Sequence, residues 1–313
     1  VFLPLAAPAQ QPATRVEGPL VIHYWPGGER LAEHVAAAAR ALPPLPALPT
    51  DLLERTAPID VFLAPDPARL DSLVGGGVPE WGAAFALPGE KRVVLPGYLS
   101  ARAAPHQLPR LLRHELAHVA LAQYLSPVRP PRWFDEGYAR MAAGEWDAEA
   151  AWMLRVAFAL HRAPPLDSIS LDWPAAEQDA RIAYLLASSA VGYLLEHGGG
   201  NEGLRLFLER WRKGGALEPA LRQTYGFTVS QFESHWLREV KSRYGWAMLA
   251  SASLLFWAPA GLLLALLYAR RRREQRERLV RLREQEIPDA PAYWLGEEEP
   301  LENEGVVDPE AGG

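Results

Sequence analysis

His114-Glu115-Leu116-Ala117-His118 stands inside a helical pattern that runs from Gln107 to Tyr124 and is over by Pro127. Two histidines four residues apart lie on one face of a helix, about one turn from each other, so both imidazoles can reach one ion at about 2.0–2.1 Å. Glu115, one step round, can face an open coordination position and take a proton from a bound water. Zinc is the metal this favours, because imidazole and carboxylate ligands with one open position make a catalytic site. The chain has no cysteine, so every ligand must be His, Asp or Glu.

A five-residue pattern is short, and a second segment close downstream gives it weight. After the turn Ser126-Pro127-Val128-Arg129-Pro130-Pro131 the chain resumes as Trp133-Phe134-Asp135-Glu136-Gly137-Tyr138-Ala139. A zinc site of this kind needs a third ligand, and Glu136 sits on a second helix able to pack against the first. Trp133 and Phe134 read as packing residues of that helix.

His-Glu-x-x-His followed by Trp-Phe-x-Glu-Gly-x-Ala resembles the gluzincins, the branch that includes thermolysin and the zinc aminopeptidases, and is closest to the short peptidase MA-like domains. The resemblance covers His114 to Ala139. It implies a zinc metallopeptidase, a hydrolase in which His114, His118 and Glu136 hold Zn2+ and Glu115 activates water. A metzincin would carry Gly at 121 and His at 124, where this chain has Leu121 and Tyr124. Nothing between Trp81 and Tyr98 resembles the Gly-x-Met-Glu-Asn segment of the aminopeptidases. Where thermolysin-like enzymes place an Asp that orients a ligand histidine, the residue is Arg140, so that role passes to Asp135, a backbone carbonyl or another group. The resemblance also implies a downstream oxyanion donor: Tyr184, in Tyr184-Leu185-Leu186-Ala187-Ser188, is preferred over Tyr193, and core packing is the alternative for both. It further suggests that the strand Lys91 to Leu95 is a sheet edge, either one that pairs with an extended peptide or an ordinary edge.

Outward from the motif, the chain reads as α+β, a zincin-like layout with a small N-terminal sheet and a helical second half. Leu20 to Trp25 and Ile59 to Leu63 read as strands, Gly28 to Ala41 as a helix, and Pro43 to Pro49 as a stiff connector. Ala83 to Ala86 and Lys91 to Leu95 read as a hairpin around Pro88-Gly89. Besides the motif helix, helices are expected over Trp133–Ala143, Ala148–His161, Gln178–Glu196, Glu202–Lys213 and Val229–Ser242. The other histidines, His23, His34, His106, His161, His197 and His235, have no partner at ligand spacing.

The ends of the chain carry topology rather than chemistry. Val1 to Ala9 reads as the remnant of a signal peptide, and 15–243 as one extracytoplasmic peptidase domain. Trp246 to Tyr268 is free of charge and, as a helix, about 34 Å long, enough to cross a hydrocarbon core of about 30 Å. Arg270 to Arg273 and further arginines come directly after it, which predicts a cytoplasmic C-terminus. Residues 269–313 are expected to form a basic and then acidic disordered tail. The net charge of −6 averages over this asymmetry. The partners expected are a peptide or protein substrate and the lipid bilayer, with no nucleic acid. The rival to an enzyme is a catalytically idle zincin-like scaffold of the cell envelope, which would have no need of Glu115.

Overall fold

The structure is a computed structural model and describes residues 11–77, 84–100, 107–159, 164–244 and 246–285. The expected signal remnant, the acidic tail beyond Gln285, His106 and His161 lie outside these residues. The chain divides into two units, the first ending at Ser251 and the second starting at Ala252.

The first unit is α+β. Its strands are β1 (Ala13–Glu17), β2 (Leu20–Tyr24), β3 (Ile59–Ala64), β4 (Phe85–Leu87) and β5 (Arg92–Pro96), in the order β1-β2-β3-β5-β4. The central three run parallel and the two edge strands antiparallel. Parallel neighbours need crossovers, and helices α1 (Glu29–Ala41), α2 (Leu52–Thr56) and α3 (Pro67–Val74) lie in them. Helix α3 begins cleanly because the Asp66 carboxylate accepts the Arg69 N–H at 2.8 Å and Pro67 occupies the first turn.

Alternation along the strands divides the sheet into two faces. Leu20 and Ile22, Ile59, Val61 and Leu63, and Val93 and Leu95 all turn to one side, against Ala32, Val35 and Ala36 of α1. The intervening Phe62 and Val94 turn to the other side, against Leu70 of α3.

One expectation fails here. The strand around Lys91 to Leu95 is not an open edge: β5 lies between β3 and β4, and the edge is Phe85–Leu87. The hairpin explains this, since a 3-10 turn over Pro88–Glu90 folds β4 back on β5 and pairs Phe85 with Val94.

The helical half contains α4 (Gly97–Ser100), α5 (Leu108–Leu125), α6 (Arg132–Ala143), α7 (Ala148–Ala159), α8 (Leu166–Leu171), α9 (Glu177–His197), α10 (Gly200–Gly214), α11 (Leu217–Tyr225) and α12 (Val229–Tyr244). Helix α5 is the partition between two cores. Its Leu112, Leu116 and Val119, at helical spacing on one face, join the sheet core. Its Ala117, Ala120, Leu121 and Leu125 join an aromatic core with Trp133, Phe134, Tyr138, Phe207, Trp211, Phe232 and Trp236. His114 and His118 project from what remains of the helix circumference, so a helix apolar on two sides still has a polar face at its middle.

The proline connector is pinned to the motif helices. The Arg113 guanidinium, almost fully buried, donates to the carbonyls of Pro43, Pro44 and Ala142, and the Tyr138 hydroxyl donates to Pro46 O at 2.6 Å. Prolines have no N–H, so their carbonyls depend on such side-chain donors when the segment is covered.

A last helix, α13 (Trp246–Gln285), spans the division between the units. It continues past Tyr268, so the arginine-rich stretch after that residue is helical, where a tail without regular structure was expected. Among the described residues no helix is long and apolar enough to cross a membrane. The stretch read as a span begins at Trp246, and the side chains of 246–256 lie outside those described. Over its second half Trp257, Leu262, Leu263, Leu264, Leu266 and Leu267 are all more than half exposed.

Candidate metal centre

Helix α6 packs against both α5 and α9, and this brings three side chains from the two motifs together. His114 Nε2 and His118 Nε2 stand 3.2 Å apart. Glu136 Oε2 lies 3.8 Å from the first and 3.6 Å from the second. Two ligands each about 2.0–2.1 Å from one tetrahedral ion stand about 3.4 Å apart, so this triangle fits such an ion at its centre. All three side chains are at most 14% exposed, an environment where unpaired charge is costly and a cation offsets it.

The far nitrogens of both rings are also engaged. His118 Nδ1 meets Asp135 Oδ1 at 3.0 Å, and His114 Nδ1 meets Glu145 Oε1 at 2.9 Å. Both histidines thus have Nδ1 on a carboxylate and Nε2 facing the shared point. Asp135 is among the groups the sequence suggests for this task. Glu145 is not, because it lies beyond the end of α6 and no spacing rule reaches it; its one sequence cue is an acidic residue directly after the helix-ending Gly144.

Glu115 is 5% exposed. Burial raises its carboxyl above the usual range, with Glu136 and Glu145 acting the same way and His114 and His118 opposing. Burial would also raise Glu136, yet His118, His114 and Arg132 hold it below the ordinary value. Two carboxylates in one site are thereby pushed in opposite directions, one toward proton exchange and one toward permanent charge.

Tyr184, from α9, reaches this neighbourhood. Burial and the nearby Glu136 push its phenol up to about 12, with the positive charge of Arg132 and Arg140 opposing. Arg132 lies over the Trp173 ring at 4.6 Å and 3.6 Å from Glu136 Oε1, and Trp173 meets Tyr184 edge-on at 5.0 Å. Tyr193 is not brought to the site: its ring stacks on His197 at 4.1 Å, farther along α9. There His197 Nε2 pairs with Glu239 at 2.9 Å, near Glu196, a second and more exposed His/Glu grouping that draws on two helices. His23 likewise pairs with Asp60, at 2.7 Å.

With two motif helices packed beside a small mixed sheet and a His, His, Glu triangle between them, the class is that of a metallopeptidase-type domain. Residues 53–242, more than half of the chain, match the family model described as the Peptidase MA superfamily, and the chain belongs to that superfamily. The match includes both motifs and Tyr184. Curated proteins provide no match to the chain.

Proposed function

We propose that the chain is a gluzincin-type zinc metallopeptidase that hydrolyses peptide bonds, with His114, His118 and Glu136 as the metal ligands. The observation that carries this is the triangle of donor atoms, with each imidazole backed by a carboxylate on its other nitrogen. That is the arrangement that presents Nε2 lone pairs to a cation. Zinc in such a position supplies a water reactive at neutral pH and a Lewis acid for the scissile carbonyl.

The chain's own residues account for the proton and charge movements. Glu115 takes the proton of the attacking water and delivers it to the nitrogen of the leaving amine, and its raised affinity for protons suits both steps. Tyr184 donates its hydroxyl to the oxyanion, and a phenol pushed up to about 12 keeps that proton at neutral pH.

A membrane anchor belongs to the same proposal. The exposed leucines in the second half of the stretch ending at Tyr268, with Arg270 to Arg273 directly after it, support a single membrane pass with the peptidase unit extracytoplasmic. Metal analysis of the purified protein together with cleavage of a diverse peptide mixture tests the enzymatic reading. Zinc near one per chain and chelator-sensitive cleavage are expected; a zinc-loaded protein that cleaves nothing is a scaffold.

A further inference from the structure

We infer that Glu145 and Arg140 form a positioning pair for His114, in which Glu145 fixes the imidazole with its proton on Nδ1 and Arg140 fixes Glu145. The inference rests on the metal site proposed for this chain and extends it to two residues that are not among its ligands.

An imidazole that offers Nε2 to a metal carries its proton on Nδ1, and an acceptor at Nδ1 sets the tautomer and the ring plane. For His118 that acceptor is Asp135, the neighbour of Glu136 on the same helix. For His114 it comes from outside α6. The place one turn after Glu136 holds Arg140, and a guanidinium cannot accept an imidazole N–H.

The chain solves this by ending the helix and turning back. Gly144 adopts φ 68, a left-handed conformation that suits glycine, and its N–H donates to Met141 O at 3.1 Å. The Glu145 N–H then donates to Arg140 O at 3.0 Å. The side chains close the same loop in the other direction, since Arg140 Nη1 forms an ion pair with Glu145 Oε2 at 3.0 Å. Arg140 therefore grips Glu145 by backbone and by side chain, and leaves Oε1 to accept the Nδ1–H of His114 at 2.9 Å.

Arg140 is itself anchored. Its Nε donates to Ser188 Oγ at 3.2 Å, and Ser188 donates to Tyr184 O at 3.0 Å on α9. The relay Ser188, Arg140, Glu145, His114 ties the helix that bears the proposed oxyanion donor to a metal ligand on α5. Both members of the pair are less than a quarter exposed, so this is not a solvent-screened surface contact.

The test is a double-mutant cycle on zinc affinity, read by competition with a chromophoric chelator on the full chain. Glu145→Gln should weaken zinc binding by about tenfold to a hundredfold, the usual effect of losing such a partner. Arg140→Met should weaken it less, and Arg140→Lys less still. The double variant should bind zinc no more weakly than Glu145→Gln alone, because Arg140 acts only through Glu145. A merely structural role would lower the melting temperature of the metal-free protein without this non-additivity in affinity. If Arg140→Met does not fold, Glu145→Gln and Glu145→Ala decide. Glu145→Gln that binds zinc like the wild type overturns the inference while the metal site stands, as do effects that multiply in the double variant. A wild-type chain that binds no zinc overturns both.

Discussion

Gly137 of α6 lies so close to Ala187 of α9 that a methyl group at 137 would stand 2.3 Å from the Ala187 carbonyl oxygen and 2.8 Å from Val191 Cγ2. Backbone cannot retreat as a side-chain tip can, so Gly137→Ala must push the two helices apart. Overpacking of this kind costs about 1–3 kcal/mol, and here the displaced helix carries Glu136. The expected result is a lower melting temperature together with weaker zinc binding. Gly192, on α9, is the control: an added Cβ there meets nothing within 4 Å, so Gly192→Ala should be neutral or stabilise by up to about 1 kcal/mol through helix propensity. Equal melting temperatures for the two variants would show that α6 and α9 do not approach as described.

Tyr184→Phe removes the hydroxyl proposed to meet the oxyanion and leaves the ring against Trp173. Turnover should fall about a hundredfold, as for loss of one such donor, with zinc content unchanged. Tyr193→Phe should change turnover little, since that ring packs on His197 away from the triangle. Full activity in Tyr184→Phe would assign the oxyanion to another group, with Arg132 the next to test.

The parts of the site legible in the sequence are those held by short-range geometry. The spacing of His114 and His118 is a property of one helix, and Glu136 comes from a second helix after a brief turn. Helices α5, α6, α7, α9, α10 and α12 fall within a few residues of expectation because each carries extended apolar periodicity. The elements that escape such a reading lack that signal. Strand β1 is largely exposed, with Val16 70% accessible, and α3, α8 and α11 are too short for periodicity to establish. The open edge expected at β5 fails because the hairpin around Pro88-Gly89, itself legible in the sequence, folds β4 back along β5, and Phe85–Leu87 becomes the edge in its place. Glu145 and the pinning of Pro43 to Pro46 by Arg113 and Tyr138 depend on tertiary contacts across tens of residues, which no local pattern encodes.

The stability of the metal-free protein and its apparent affinity for zinc should depend on pH in opposite ways. Burial alone would lower the His118 value, but Asp135 and Glu136 outweigh it and hold it well above the ordinary imidazole value of about 6.5. A group raised in the folded state contributes stability that is fully present below its unfolded value and lost as pH rises through the folded one. Glu115, raised by burial, acts in the same sense, whereas the lowered Glu136 and Glu145 are already ionised in both states above the carboxylate range. The chelated protein should thus melt at lower temperature as pH rises above about 6.5. Zinc must displace the His118 proton, so apparent affinity should rise over the same window. Melting with chelator at a series of pH values checks the first half, and a flat or rising trend would contradict it.

The proposed anchor predicts an orientation. With the arginines after Tyr268 on the cytoplasmic side, protease added to intact cells should trim the peptidase unit and spare a C-terminal epitope. Protection of the peptidase unit with loss of the epitope would reverse the assignment, and a protein fully released by carbonate extraction would remove the anchor.

Glu115 and Glu136, the two carboxylates of the motifs, should fail in different ways. Glu115 is assigned to proton transfer, and Glu115→Gln keeps its size while leaving His114, His118 and Glu136 in place. Zinc should stay near one per chain, and hydrolysis should fall by at least about a hundredfold, because an amide cannot take the water's proton. Glu136 is assigned to the metal, and Glu136→Ala removes one corner of the triangle along with the negative charge that His114 and His118 face. Zinc affinity should drop and activity should go with it, while the helix, whose buried face is carried by Trp133, Phe134, Gly137 and Tyr138, remains folded. Zinc stoichiometry, circular dichroism and peptide cleavage on both variants separate the roles. Loss of zinc from Glu115→Gln would move that residue into the ligand set, and retention of zinc by Glu136→Ala would take Glu136 out of it.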